Sequence, residues 1–156
     1  MKILPHTRSC FVCGEANPLG LNLRFETDGR IVHARFVARR EHAGFKGVVH
    51  GGLVATILDE AMVWACAVQT KQFAYCAELK VRFVAPAQPE AETLITAWLV
   101  TNRKGRIFEA ESELKSAGGT LLASGTGKYL PLGDSEAAVM AEDFVGDPSW
   151  MQMKKS

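Results

Sequence analysis

The alternation of apolar and polar positions predicts β-strands in two separate parts of the chain. Residues 21–26 alternate, Asp28-Gly29 follows as a two-residue hairpin signal, and residues 30–37 form the partner strand. In the second half, segments that alternate or are rich in β-branched residues are separated by turn residues. These predicted strands span residues 75–85, 93–101, 106–115 and 121–130.

The segment between the two groups of strands predicts one long helix. From Leu53 to about Val68 nearly every position is apolar on all sides, which is typical of a helix enclosed by protein. Asp59 and Glu60 lie near its middle, and each would cost roughly 2.5–3.5 kcal/mol at the centre of a bilayer. We therefore expect a buried helix and no membrane partner.

One helix and six strands predict an α+β fold in which a curved, mostly antiparallel sheet wraps around the helix. Six short strands cannot cover a helix that is apolar all round. We therefore expect a second copy of the chain to cover the remainder. The predicted assembly is a homodimer, or a dimer of dimers, which is a homotetramer.

The length and composition of the chain predict a single globular domain. Its 156 residues are 47% apolar and 22% charged, with a formal net charge of +1, as in globular proteins of this size. We assign residues 1–133 to this domain. Residues 134–156 contain five acids and two bases and are interpreted as an acidic C-terminal tail, with a short helix over 135–141.

The distribution of charges and cysteines bears on the partners and the compartment. Basic residues are scattered and form no stripe, so we expect no nucleic-acid partner. The first residues lack the apolar stretch and cleavage site of a secretory signal, so we expect a cytoplasmic protein. Four cysteines are too few for a disulfide scaffold, and free thiols are expected.

Cys10 and Cys13 form a Cys-x-x-Cys pair with His6 nearby, which is a candidate half of a zinc site. The sequence has no second pair of ligands at metal-binding spacing. A thioredoxin-like redox function would need a βαβ setting that the pattern does not predict. We therefore expect neither a metal nor a redox cofactor.

The start of the helix, His50-Gly51-Gly52, carries the most specific chemical signal. Backbone N–H groups of a first helical turn lack intrahelical partners, and glycine lets a ligand approach them, as an oxyanion site requires. Asp59 follows Gly52 by seven positions and lies on the same helix face, whereas Glu60 points elsewhere. From spacing alone, a reactive acid and a structural acid with a polar partner are equally good interpretations.

The segment from His50 to Asp59, HGGLVATILD, resembles the helix motif of hotdog-fold acyl-CoA thioesterases of the phenylacetate-degradation type, within the 4-hydroxybenzoyl-CoA thioesterase superfamily. The resemblance extends from about Leu21 to Leu130, through the segments ELKVRFVAPA and ASGTGK. The opening segments CFVCG and NPLGL are similar to those of a bacterial subgroup. The resemblance implies a hotdog fold and a hydrolase that splits an acyl-CoA thioester into free acid and CoA, without a cofactor.

The resemblance also implies roles for single residues. The Gly51 amide would polarise the thioester carbonyl, and Asp59 would be the nucleophile or general base on a substrate bound across the dimer interface. His50 would shape the loop or hold a water molecule, with Gly52 and Cys76 beside the substrate. The basic residues expected to hold the CoA phosphates are Arg82, Arg103, Lys104, Arg106 and Lys128.

Two positions depart from the family pattern and keep an alternative open. Gly44 stands where relatives carry Asn, and Cys76 stands where some carry Ser or Thr. The loss of a polar group that orients the substrate could slow the chemistry. A protein of the same fold that binds acyl-CoA without turnover is therefore the second hypothesis. A hotdog dehydratase is the third, although residues 41–45 lack the proline-rich loop of those enzymes.

Overall fold

The computed structural model describes residues 1–146 and contains the long helix and the six strands in the predicted order, together with three two-residue strands that the sequence pattern does not predict. The elements before the long helix are β1 (Lys2–Ile3), β2 (His6–Thr7), β3 (Phe25–Thr27), β4 (Ile31–Val37) and a short 3-10 helix (Arg40–His42). The remaining elements are α1 (Gly51–Thr70), β5 (Ala74–Phe83), β6 (Glu92–Arg103), β7 (Ile107–Ser116), β8 (Leu121–Pro131), α2 (Asp134–Ala141) and β9 (Phe144–Val145).

Seven of the strands form one antiparallel sheet in the order β1-β3-β4-β6-β7-β8-β5. Helix α1 contacts every strand from β3 to β8, so the sheet curves around it as predicted. Strands β6 and β7 alternate between buried and half-exposed positions, because successive strand side chains point to opposite faces. The prediction of an antiparallel sheet around one central helix is therefore confirmed.

Helix α1 forms the centre of the core. Half of its twenty residues are buried, and Trp64 lies among the aromatic rings at its C-terminal half. The rings that pack on this indole are Phe25, Phe73 and Phe144. By length and composition alone α1 could cross a membrane, but in the structure it is mostly enclosed by the sheet.

Strand β3 is shorter than predicted, and its start differs from the predicted one. The alternating residues 21–26 predict a strand, yet only Phe25–Thr27 pairs with β4. The backbone N–H groups of Leu21 and Leu23 donate instead to the carbonyl groups of Phe11 and Val12. The prediction for residues 21–24 is wrong because the N-terminal loop takes the hydrogen bonds that a neighbouring strand would take.

The first part of the predicted C-terminal tail packs on the domain. Helix α2 spans Asp134–Ala141, as the sequence predicts, and β9 pairs with β2. Phe144 is buried against Trp64 and Phe73, which fastens this segment to the core. The rest of the tail, residues 147–156, lies outside the described residues.

Candidate functional site

The first turn of α1 leaves one backbone donor unused. His50 is the N-cap residue, and its Nδ1 accepts a hydrogen bond from the Gly52 N–H at 2.9 Å. The N–H groups of Leu53 and Val54 both donate to the His50 carbonyl, at 2.9 and 3.2 Å. Within residues 1–146 the Gly51 N–H has no hydrogen-bond partner. The Gly51 amide is therefore the donor that this helix end offers to a ligand.

The loop before α1 closes on His50, which explains the glycine at position 44. The His50 N–H donates to the His42 carbonyl, and Ala43 forms an isolated bridge with Val49. A Cβ at Gly44 would lie 3.0 Å from Cδ2 and 3.1 Å from Cα of His50. A larger residue here would therefore push against the N-cap residue. This loop therefore accommodates a side chain at position 44 only if His50 moves.

A cavity of about 510 Å³ opens beside the free Gly51 amide. His50 contributes the one polar side chain among the described residues that line it, and the remaining side chains are apolar. They include Phe45, Val48, Val54, Phe83, Val84, Pro86, Leu114 and Leu122. Such a cavity is suited to an apolar group whose polar atom reaches the Gly51 amide.

Asp59 lies further along α1, where side-chain donors surround its carboxylate. The Tyr129 hydroxyl donates to Oδ1 of Asp59 at 2.9 Å, and the Tyr129 side chain is fully buried. Burial and the Asp59 charge raise the pKa of Tyr129 above its usual range. Burial and the hydrogen bond with Asp59 also raise the pKa of Cys76, to about 11. Both groups therefore stay protonated at neutral pH, where the Tyr129 hydroxyl donates to the carboxylate and the Cys76 thiol lies beside it.

Small residues on β8 make this contact possible. A Cβ at Gly127 would lie 2.5–2.8 Å from atoms of the Tyr129 side chain, and a Cβ at Gly125 would lie 3.2 Å from Met62 on α1. The register between β5 and β8 also shifts between Cys76 and Glu78, at an irregularity of the kind that redirects side chains. The glycines let α1 approach the sheet, and Tyr129 fills the space beside Asp59.

Tyr129 is the residue that the sequence analysis missed. Its hydroxyl meets Asp59 across 70 positions of sequence, which no local pattern reports. A weaker signal was available, because Gly125, Gly127 and Tyr129 share one face of a predicted strand. A tyrosine among glycines on an inward face often needs a partner for its hydroxyl.

The adjacent acid Glu60 faces different groups, as its helical position predicts. Its Oε1 lies 3.7 Å from Sγ of Cys10, and Cys13 belongs to the same cluster. Burial, together with the charge on the Cys10 sulfur, raises the pKa of Glu60 to about 8. A hydrogen bond from the Cys13 thiol and donors of the backbone lower the pKa of Cys10 to about 5. Glu60 and the Cys-x-x-Cys pair therefore form a second cluster, apart from Asp59.

The structure does not bring the predicted phosphate-binding residues together within one chain. Arg82 lies on β5 opposite Ser124 of β8. Arg103 forms an ion pair with Glu109 at 2.9 Å, and Arg106 lies in the turn between β6 and β7. The sheet register separates this turn from the Arg82 level by six residues, or about 20 Å along the strands. Lys104 lies in the same turn, and Lys128 pairs with Glu78 at 3.1 Å.

Within one chain, the Gly51 amide and the Asp59 carboxylate are also far apart. Gly51 and Asp59 are eight residues apart on one helix, which corresponds to about 12 Å along its axis. A single thioester carbonyl cannot contact both groups of the same chain. If both act on one substrate, they come from two copies of the chain.

The family model of the thioesterase superfamily matches residues 46–123, which run from the loop before α1 into β8. This match covers half of the chain. The chain belongs to the thioesterase superfamily. A search of curated protein sequences found no match.

Solved structures similar to this thioesterase superfamily chain show the same hotdog fold. A thioesterase superfamily protein is 26% identical, with a TM-score of 0.73, over 79% of this chain and 63% of that protein. This chain therefore spans less than two thirds of that protein's length. The Escherichia coli PaaI protein, from the phenylacetic acid degradation operon, is 18% identical, with a TM-score of 0.66, over 72% and 81%. A Streptococcus mutans protein bound to acetyl CoA is 14% identical, with a TM-score of 0.66, over 72% and 90%.

Proposed function

We propose that this protein hydrolyses the thioester bond of an acyl-CoA to give the free acid and CoA. Membership of the thioesterase superfamily supports a thioester hydrolase or an acyl-CoA-binding role. The observation that carries the proposal is the Gly51 N–H, which has no partner within residues 1–146 and borders an apolar cavity. A thioester carbonyl at this amide would place its acyl group among the apolar side chains.

In this proposal the Gly51 amide is the oxyanion donor. Attack on the thioester carbon moves negative charge onto the carbonyl oxygen, and a fixed N–H at a helix N-terminus stabilises that charge. The loss of one such donor typically lowers kcat by about 10²–10³-fold. His50 keeps its Nδ1 on the Gly52 N–H, so its role is to shape this turn.

Asp59 is the proposed nucleophile or general base. As a base it takes a proton from water while the water oxygen attacks the thioester carbon and the CoA thiolate leaves. As a nucleophile it forms an anhydride with the acyl group, which water then hydrolyses. Tyr129 and Cys76 orient the carboxylate in either case, and Tyr129 donates to its Oδ1 at 2.9 Å.

We propose that the site forms between two copies of the chain, through β5. Strand β5 is at one end of the sheet, and large apolar side chains on it are exposed, among them Tyr75 and Leu79. An exposed strand edge of this kind favours pairing with another strand. Antiparallel pairing about a two-fold axis near Leu79, at the middle of β5, would bring Cys76 close to the partner's Phe83.

That pairing would complete the site. The Phe83 ring lies against Gly51, because a Cβ on Gly51 would be 3.2 Å from it. Cys76 lies beside Asp59. The pairing therefore brings the partner's Asp59 to the Gly51 cavity of the first chain, as the 12 Å separation within one chain requires. A homodimer is the smallest assembly that satisfies this geometry, and a dimer of dimers also contains it.

The CoA phosphates are proposed to lie near basic side chains of both copies. Arg82 is at the cavity end of β5, whereas the turn with Arg103, Lys104 and Arg106 is at the Asp59 end of the sheet. The proposed pairing brings the cavity end of one copy towards the Asp59 end of the other. Basic groups from both copies would then flank the CoA moiety.

The second candidate function is acyl-CoA binding without turnover. Gly44 favours it, because no side chain at this position can orient a substrate in the way the asparagine of relatives would. A hydrolase and a binding protein share the cavity and the Gly51 donor. They differ in whether Asp59 reaches a bound thioester in a reactive position.

A substrate screen tests the proposal. The purified protein is mixed with acetyl-, medium-chain, long-chain and aromatic acyl-CoAs, and release of the CoA thiol is followed with a chromogenic disulfide. We expect steady turnover of at least one ester, with saturation kinetics. Saturable binding of these esters by calorimetry, with no thiol release above the buffer rate, would contradict hydrolysis and support the binding protein.

A further inference from the structure

Two thiols and a carboxyl group meet on a side of α1 that the proposed hydrolysis does not use. The side chains are Cys10, Cys13 and Glu60, and their ligand atoms all lie within 4.8 Å of one another. We propose that these three residues bind one Zn²⁺ ion, with a water molecule in the fourth position. Glu60 points about 100° around the helix from Asp59, so the ion would lie on a different side of α1 from the proposed catalytic carboxylate.

The spacing of the cluster fits a tetrahedral ion. Zinc binds thiolate sulfur at about 2.3 Å and carboxylate oxygen at about 2.0 Å, so sulfur and oxygen ligands of one ion lie about 3.5 Å apart. Sγ of Cys10 and Oε1 of Glu60 are 3.7 Å apart. The two side chains therefore already have the spacing of ligands that share one ion.

The loop that carries the thiols is shaped to present them. The Val12 N–H donates to Sγ of Cys10 at 3.2 Å, and the Gly14 N–H donates to the Cys10 carbonyl at 2.9 Å. A Cβ at Gly14 would lie 2.2 Å from that carbonyl oxygen, so this tight turn requires glycine. Oγ1 of Thr7 lies 3.6 Å from Sγ of Cys13. Such surrounding hydrogen bonds orient metal ligands in proteins.

A buried polar atom gives independent support. The indole N–H of Trp64 is buried near the Glu60 carboxyl group, but within residues 1–146 it makes no hydrogen bond of full geometry. Buried donors without partners are rare and call for an explanation. When one Glu60 oxygen binds zinc, the carboxylate is fixed as an anion, and its other oxygen is available to the indole.

The donor set favours zinc over other divalent ions. Magnesium and calcium prefer oxygen ligands, whereas two thiolates favour zinc among the ions that most proteins encounter. The three ligands join the loop of residues 10–14 to the middle of α1. The ion would therefore fasten the N-terminal segment to the central helix, which is a structural role.

Metal analysis and cobalt substitution of the full chain test the site. Protein purified with reductant should contain about one zinc per chain. After zinc removal, added Co²⁺ should give a thiolate-to-metal charge-transfer band and the visible bands of a tetrahedral ion. The substitutions Cys10→Ser and Cys13→Ser should abolish these bands, and Glu60→Gln should weaken the affinity for cobalt at least ~10-fold.

Matched controls separate this site from the rest of the chain. Asp59→Asn changes the adjacent acid, and Cys66→Ala removes a thiol outside the cluster, so both should keep the metal. Because neither readout depends on turnover, a failure of the hydrolase proposal leaves this test intact.

Three outcomes would overturn the zinc site. The first is reduced, folded wild-type protein that takes up no cobalt, or that binds it without a thiolate band. The second is a Cys10–Cys13 disulfide that persists in reductant, seen as the loss of two hydrogens by mass. The third is unchanged cobalt affinity in Glu60→Gln, a result that stays decisive even if the cysteine variants fail to fold.

Discussion

Two polar groups on α1, eight residues apart, differ in their hydrogen bonding: the Gly51 N–H at the first turn and the Asp59 carboxylate at the middle. At the first turn the Gly51 N–H has no partner within the described residues and opens on an apolar cavity. At the middle, the Asp59 carboxylate accepts a hydrogen bond from Tyr129 on β8 and lies beside the Cys76 thiol on β5. A backbone N–H without a partner can stabilise negative charge that develops on a substrate oxygen. A carboxylate that accepts a hydrogen bond keeps one orientation towards the substrate. In the proposed reaction, Gly51 would stabilise the charge on the thioester oxygen and Asp59 would act on the thioester carbon or on water.

The largest effect is expected when the free donor is removed. Gly51→Pro deletes the N–H at the first helical position, where proline is well tolerated. His50 has ψ 130°, which is the extended conformation that a residue before proline prefers. Turnover of the best acyl-CoA should fall by about 10²–10³-fold with little change in melting temperature. Gly51→Ala is the matched control, because it adds a Cβ in the same place but keeps the N–H. Equal activities of the two variants would remove Gly51 as the oxyanion donor.

The second largest loss of activity is expected when the negative charge of Asp59 is removed. Asp59→Asn keeps the shape of the side chain but removes its basicity, so kcat should fall by at least ~10²-fold while the acyl-CoA still binds. Stopped-assay kinetics and calorimetry measure the two quantities separately.

The neighbouring acid is the control for Asp59. Glu60→Gln should remain at least ~10-fold more active than Asp59→Asn, because Glu60 faces the cysteine cluster. If Asp59→Asn instead lowers the melting temperature and leaves kcat unchanged, Asp59 is a structural acid. That result would contradict the proposal that Asp59 and the Gly51 amide act in the same reaction.

A substitution on β5 tests whether the two regions meet across a dimer. Leu79→Lys would place two like charges beside the proposed two-fold axis and should dissociate the dimer. Light scattering should then detect a 17.0 kDa species, and activity should fall with the monomer fraction. Val139→Lys changes an exposed apolar side chain on α2 and should stay dimeric and active. A fully active monomer would exclude a shared site.

The smallest loss of activity is expected when the hydroxyl group that donates a hydrogen bond to Asp59 is removed. Tyr129→Phe removes one donor, while the Cys76 thiol remains, so we expect a loss of kcat of about tenfold and a loss of stability of about 1.5 kcal/mol. Denaturant unfolding and steady-state kinetics measure the two. Tyr75→Phe removes the hydroxyl of the other tyrosine but keeps its ring on the proposed dimer edge, so it should change neither. No change in kcat in Tyr129→Phe would show that Asp59 does not depend on this orientation.

The elements with strong periodicity could be predicted from the sequence, and those defined by distant partners could not. The apolar run after His50 predicts a helix from about Leu53 to Val68, and α1 spans Gly51–Thr70. Residues 21–24 alternate like a strand, but their backbone groups bond the N-terminal loop. Alternation reports which face is apolar and does not identify the neighbour that takes the hydrogen bonds.

The same limit applies to the candidate site. Gly51 and Asp59 can be proposed from the sequence because both lie on one helix at a spacing that helical geometry can interpret. Tyr129 reaches Asp59 from 70 positions away, and Cys10 reaches Glu60 from 50 positions away. Such contacts depend on how closely β8 and the N-terminal loop approach α1. That distance is set by glycines whose role is visible only after packing.

The most direct test mixes the two defective chains. Gly51→Pro and Asp59→Asn protomers are unfolded together, refolded in equal amounts and assayed with the best acyl-CoA. In a two-fold dimer, half of the assemblies would be mixed, and each would contain one site with both native groups, so activity should recover to about a quarter of the wild-type value. If the mixture dimerises but stays as inactive as its components, the amide and the carboxylate do not act on one substrate across two chains.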